Sequence, residues 1–343
     1  MAYSDKDLRT FTQIAYTDFS DAAEKIMKDS DNGNAECTIA NLEANSTQRD
    51  DGYPYNTTIT DDQKQNWKIV SIHDKNAQNG FYACIVETSP GNAVVCFRGS
   101  EDMSDPNNLK NDWIYADMGL LNSTCTNQQA EVERFLAANK ELLSKYDNIT
   151  MTGHSLGGNL AEYATIMSYK YGLDTKIKQC VSMDGPGFSD EFIRANREHI
   201  ANMKGVIKHY RWSFVGNLLF DLPGVEYQDV SINEDEVVKD NGDLKAIFWR
   251  HDTKYLKYDE NGNLMPGEKD GFACIIAPIT KYIELNNKGN KIVDFIKKIT
   301  GNSPEVYLKV TISQLLSDAD DMSFEIEEIL KEVNSVYDDV QAL

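Results

Sequence analysis

The sequence predicts an α/β protein: a mostly parallel central sheet with an antiparallel hairpin at one edge, helices on both faces and a helical C-terminal extension. Two observations carry this. From residue 92 onward, strand-like apolar runs alternate with amphipathic helical segments, the pattern of a parallel sheet covered by helices. Before that, GFYACIVET (80–88) and NAVVCFRGS (92–100) are joined by Ser-Pro-Gly-Asn, whose turn chemistry makes a hairpin. An antiparallel edge is common on such sheets.

The elements follow in chain order. Ser4 to Lys28 reads as a helix, because Leu8, Phe11, Ile14, Ala15, Phe19, Ala22 and Ile26 recur at helical spacing. Residues 29–66 are rich in Asn, Asp, Thr and Ser and read as irregular. WKIVSIHD (67–74) is the first strand, ahead of the hairpin. Residues 101–126 read as loop, with an amphipathic piece around Trp113. Asn127 to Tyr146 is a helix, NITMTGH a short strand, and Ser155 to Tyr171 a helix. KIKQCVSMDG (176–185) has a buried-strand pattern, and Asp190 to Asn202 is a helix. GVIKHYRWSFVG (205–216), VEYQDVSI (225–232) and LKAIFWRHD (244–252) read as further strands. Residues 1–300 then form one domain with its core at about 67–255, and 255–302 could supply a lid or cap. Residues 303–343 form an acidic helical extension.

Composition narrows the function. A net charge of −21 argues against nucleic acid, whose phosphates require clustered Lys and Arg. It also weakens simple attraction to anionic membranes. No run of 18 apolar residues is present, so no transmembrane segment is expected. The stretch MAYSDKDLRTFTQIAY carries an early acidic residue and no continuous apolar core, unlike a signal peptide. Cys84, Cys96 and Cys180 fall within apolar runs, and no Cys/His ligand spacing occurs. These features predict reduced thiols and a cytoplasmic location. Oligomeric state is left open.

One stretch carries chemistry: TMTGHSLGGNLAEYA (150–164) contains Gly153-His154-Ser155-Leu156-Gly157, the pattern G-x-S-x-G. A strand ends before Ser155 and an Ala-rich helix starts after it. The turn between them must be sharp, and the glycines let strand and helix approach. Ser155 would then project from the strand's carboxyl end as a nucleophile. The Leu156 N–H, at the helix N-terminus, would face a developing oxyanion. Serine also N-caps helices, but a cap does not require the flanking glycines.

Such a serine needs a base. His73 precedes it, His154 sits inside the turn, His199 lies in a helix beside Glu198, and His209 is mid-strand. His251, in the loop RHDTKY after a late apolar run, remains. For the acid, Asp184 ends the run CVSMD before Gly-Pro-Gly, at the edge where ligands collect in parallel sheets. Asp221, in LLFDLPG, is the rival. A second oxyanion donor should follow an earlier strand, and VVCFRGS offers Ser100. Arg98 could pair with Asp112 or Asp117.

With VVCFRGSED, NDWIYAD, ITMTGHSLGGNLAEYA, DGPGF (184–188) and WRHD on the page, the chain resembles the class 3 lipases of the α/β-hydrolase fold. It looks closer still to an uncharacterised bacterial family of lipase-like proteins related to them. The resemblance spans roughly residues 67–255. It implies Ser155 as nucleophile, His251 as base, and Ser100 with Leu156 as oxyanion donors. There is one departure: Ser213 stands where class 3 lipases carry their acid, so either the acid has moved, with Asp184 after the preceding strand as the substitute, or the triad is incomplete.

The function expected is a serine esterase or lipase working through an acyl-enzyme, with no metal or organic cofactor, on a small apolar ester. Trp212, Phe214, Leu218, Leu219 and Phe220 could line its pocket or belong to the core. The alternatives are a non-hydrolytic protein that binds an acyl ligand or partner on the same fold, and an acyltransferase using the same triad.

Overall fold

A computed structural model describes residues 3–17, 19–29, 36–46, 59–99, 127–241 and 249–271, with 273, 277 and 281. Ser100, Asp112, Trp113, Asp117 and the extension 303–343 lie outside the described residues.

Among the described residues the sheet has seven strands, and their spatial order is their chain order. They are β1 (Lys68–Lys75), β2 (Phe81–Ser89), β3 (Asn92–Phe97), β4 (Asn148–His154), β5 (Ile177–Met183), β6 (Ile207–Arg211) and β7 (Glu226–Asp229). The first three pair antiparallel, and β3 through β7 pair parallel. The helices are α1 (Asp5–Thr17), α2 (Ser20–Asp29), α3 (Ile39–Asn45), α4 (Asp61–Asn66) and the single turn α5 (Asn76–Asn79). After β3 come α6 (Asn127–Leu143), α7 (Leu156–Met167), α8 (Asp190–Met203) and α9 (Glu234–Asn241).

Strand alternation divides the core into two layers. In β2, Phe81, Ala83 and Ile85 face one cluster with Phe135, Leu160, Ala164 and Ile193, under α6, α7 and α8. Tyr82, Cys84 and Val86 face the other, with Leu8, Phe11, Ile14 and Leu42 from α1 and α3. Phe11 is fully buried and stacks on Trp67, ring centroids 4.3 Å apart. Truncating it to Ala would cost about 3–5 kcal/mol. Among the described residues, no helix is long and apolar enough to cross a membrane.

Four details differ from the sequence reading. The run Ser4–Lys28 is two helices, α1 and α2, with the buried Phe19 between them. Both bury the same kind of face, so the apolar period runs on across the break. The segment 29–66 contains two short helices, capped by Thr38 and Thr60. Thr60 and Gln63 form a capping box, a signal present in the sequence as T-x-x-Q. The run 205–216 is a strand only to Arg211, after which Val215–Asn217 form a 3-10 turn. In 244–252, residues 244–248 lie outside the described residues, Trp249 is helical and His251 sits in a turn. Periodicity does not separate a short buried strand from a helix.

Candidate active site

The site is built from the carboxyl ends of two adjacent strands. Parallel register sets His154 of β4 opposite Met183 of β5. The next residues, Ser155 and Asp184, therefore leave the sheet side by side. The Ser155 N–H donates to the Met183 carbonyl at 2.9 Å, and the Asp184 N–H donates to the Tyr210 carbonyl at 2.8 Å, which ties three strand ends together. Both residues have positive φ, 60° at Ser155 and 53° at Asp184. Such conformations cost on the order of 1–3 kcal/mol in a residue with a side chain and persist where surrounding structure imposes them.

Ser155 stands directly before α7, yet its side chain makes no capping bond. The glycines around it answer to close packing. A Cβ on Gly157 would run into the Phe97 carbonyl, and one on Gly153 into the Gly157 carbonyl. A Cβ on Gly99 would lie 2.9 Å from Ser155 Cβ. The chain leaving β3 thus passes against the serine. Leu156 opens α7, so its N–H belongs to the first turn, which lacks partners within the helix and carries the positive end of its dipole.

Asp184 is fully buried and richly hydrogen-bonded. The N–H groups of Trp212 and Ser213 donate to its Oδ1 at 3.0 and 3.2 Å. Ser213 Oγ and His251 Nδ1 donate to Oδ2, the histidine at 2.7 Å. Burial alone would raise its pKa; the His251 bond and charge, with Ser213 and the Trp212 N–H, hold it below the ordinary carboxylate value. His251 is 2% exposed. Its Nδ1 proton is engaged by Asp184, and its buried Nε2 has no hydrogen bond among the described residues. The ring is therefore held in the tautomer whose Nε2 lone pair can accept a proton.

Asp221 is elsewhere, paired with Arg211 at 3.3 Å. Ser213 supports Asp184 with its hydroxyl and also lies 3.2 Å from His251 Nδ1. Of the other histidines, His73 meets Glu131, His199 stacks on Tyr169, and His209 meets Glu162. His154 is different: its Nε2 lies 2.9 Å from the His251 carbonyl oxygen. Sequence reasoning set His154 aside because it neighbours the serine, and nothing local signals that a loop nearly a hundred residues later returns to it. Arg98 is fully buried, with its guanidinium over the Tyr82 ring. Leu219 and Phe220 join the core cluster beneath α7 and α8, whereas Trp212 belongs to the opposite cluster and stacks on His154. Residues 256–266 bridge to Val230 and Ile232, and to α1 through Lys6 and Asp5.

A serine at positive φ between strand and helix, next to a strand end whose Asp184 bonds a histidine, at the carboxyl edge of a mostly parallel sheet, defines a protein of the α/β-hydrolase fold. The chain belongs to the Mbeg1-like family, a lipase-like family whose model matches residues 65–255. Among solved structures, it is similar to a lipase–propeptide complex from Rhizomucor miehei: identity 13%, TM-score 0.37, covering 68% of this chain and 70% of that one. It is also similar to a mutant of MDLA from Penicillium cyclopium: identity 13%, TM-score 0.39, covering 78% of this chain and 89% of that one. These likenesses are too slight to carry residue roles across. No curated protein matches the chain.

Proposed function

We propose that the protein is a serine hydrolase of carboxylic esters. Ser155 Oγ attacks the acyl carbonyl while His251 Nε2 takes its proton. Asp184 stabilises the imidazolium that forms. Collapse of the tetrahedral species breaks the ester C–O bond, and His251 returns the proton to the departing alcohol. Water then attacks the acyl-Ser155, again losing its proton to His251, and carboxylic acid leaves with Ser155 restored. The Leu156 N–H, with Ser100 on the segment after Gly99, would hold the oxyanion. No metal or organic cofactor enters these steps. The apolar acyl part of the ester would lie among residues at the carboxyl edge, such as Trp212 and Phe214, both largely buried.

The observation that carries this reading is the Asp184–His251 bond at 2.7 Å, which holds the ring by Nδ1 and leaves Nε2 with no hydrogen bond among the described residues. The buried thiols Cys37, Cys84, Cys96 and Cys180, free of disulfides, fit the cytoplasmic location. A fluorophosphonate probe tests the reading. Wild-type protein should be labelled covalently and Ser155→Ala should not. Wild type left unlabelled where a control esterase reacts would end it in favour of a non-hydrolytic binder. If a carboxylic ester is consumed faster with added alcohol and yields the new ester, acyl transfer is the reaction.

A further inference from the structure

We propose that His154 is a positioning residue for His251, holding its main chain through a hydrogen bond from Nε2–H to the His251 carbonyl. This rests on His251 being the base, as proposed above.

The geometry leaves His154 one role at that contact. A carbonyl oxygen only accepts, so the 2.9 Å approach of His154 Nε2 requires the proton on Nε2. The neutral ring then presents a lone pair at Nδ1, and Tyr16 Oη lies 3.4 Å from it. The ring is held on its face as well, parallel to the Trp212 indole within 7° at a centroid separation of 5.9 Å. It lies 4.4 Å from the His251 ring, centroid to centroid. Burial, and then the neighbouring His251, press its pKa down to about 3, so it stays neutral beside a base that must itself become charged. A charged His154 there would oppose the imidazolium.

The arrangement also explains why this residue, and not another, does the work. His154 is the last residue of β4 and adjoins Ser155 in the chain. Its backbone sets the nucleophile, and its side chain sets the loop carrying the base. Asp184 fixes the plane and tautomer of the His251 ring, while His154 fixes the main chain from which that ring hangs. One strand end thus governs the separation of Ser155 Oγ and His251 Nε2. The tyrosine that approaches it comes from α1, ahead of the family-matched segment 65–255.

The test has two arms. With ¹⁵N-labelled histidine at pH 7, the His154 signal, assigned by its loss in His154→Gln, should show a protonated Nε2 and an unprotonated Nδ1. The reverse tautomer overturns the proposal, and this arm needs no activity. In the second arm, p-nitrophenyl ester turnover is compared for wild type, His154→Phe and His154→Gln. Loss of the N–H in the Phe variant should lower kcat about 10–100-fold with KM little changed, as expected for a misplaced base. Gln, whose amide N–H reaches nearly the same point as Nε2–H, should recover most of that loss. A Phe variant with wild-type kcat, or a Gln variant as slow as Phe, overturns the proposal. Wild type unreactive toward both ester and fluorophosphonate would instead sink the hydrolase reading, which the tautomer measurement does not touch. If the Phe variant fails to fold, the tautomer and the Gln variant still decide.

Discussion

Among the described residues, two buried histidine–carboxylate pairs stand out, and their chemistry is nearly the same. His251 Nδ1 meets Asp184 at 2.7 Å, and His209 Nδ1 meets Glu162 at 2.8 Å. All four side chains are at most 2% exposed. In each, the histidine Nε2 has no hydrogen bond among the described residues. The surroundings differ. Asp184 collects further donors from Trp212 and Ser213, and these with His251 hold its pKa down. Glu162 has one oxygen, Oε2, with no partner among the described residues, and burial pushes its pKa up despite His209. Asp184 follows the end of a strand next to the serine elbow, whereas Glu162 is in the middle of α7 and His209 in the middle of β6. A histidine–carboxylate pair is thus no site by itself. Position at the sheet edge, and enough donors to keep the carboxylate ionised, separate a candidate relay from a packed polar contact.

The comparison can be broken or sharpened in graded steps. The largest effect is expected at Ser155, the proposed nucleophile, which on this proposal only the first pair serves. Ser155→Ala should lower p-nitrophenyl ester turnover by roughly 10⁴-fold or more and abolish fluorophosphonate labelling. Next come the carboxylates. Asp184→Asn should lower kcat about a thousandfold or more, because the amide favours the wrong tautomer of His251. Glu162→Gln should change kcat by no more than about twofold, since it has no contact with the reacting groups. Asp221→Asn should behave like Glu162→Gln. If Glu162→Gln collapses turnover and Asp184→Asn does not, the assignment of the two pairs is reversed. Ser213→Ala removes one donor to Asp184 and should cost roughly tenfold in kcat, the scale of one hydrogen bond to a charge.

The smallest effect is in stability against pH, and the two pairs should slope in opposite directions. The Asp184 pKa is lowered on folding, so its contribution is present above the unfolded value of about 3.9 and lost as pH falls through the folded value. The Glu162 pKa is raised, so its contribution is full below the unfolded value of about 4.3 and lost as pH rises through the folded value. In urea titrations across this range, the advantage of wild type over Asp184→Asn should shrink toward acid. Its advantage over Glu162→Gln should shrink toward neutral pH. Slopes of the same sign would contradict the contrast.

How much of this could be read beforehand follows from the range of each interaction. The strands were legible because a sheet buried on both faces writes itself as apolar runs. The elbow was legible because its glycines, strand and helix are contiguous. Asp184 and Asp221 could be ranked by distance from a strand end, a local criterion. The donor role of Ser213 was not legible, since it depends on where β6 ends relative to β5. Nor was the contact of His154 with His251, made by chain segments far apart in sequence. The break between α1 and α2 escaped because an apolar period is blind to so short an interruption between Thr17 and Ser20.

The glycines around Ser155 have a consequence of another kind. Gly153 and Gly157 are required where the backbones of β3, β4 and α7 touch, whether or not a serine stands between them. Gly157→Ala should therefore destabilise the Ser155→Ala variant as much as it does the wild type, measured by urea midpoint. A descendant of this chain that lost its hydroxyl would remain under the same steric pressure to keep both glycines. Across a set of sequences, then, the spacing of those glycines records how tightly layers are stacked, and a catalytically silent copy would carry it as faithfully as an active one.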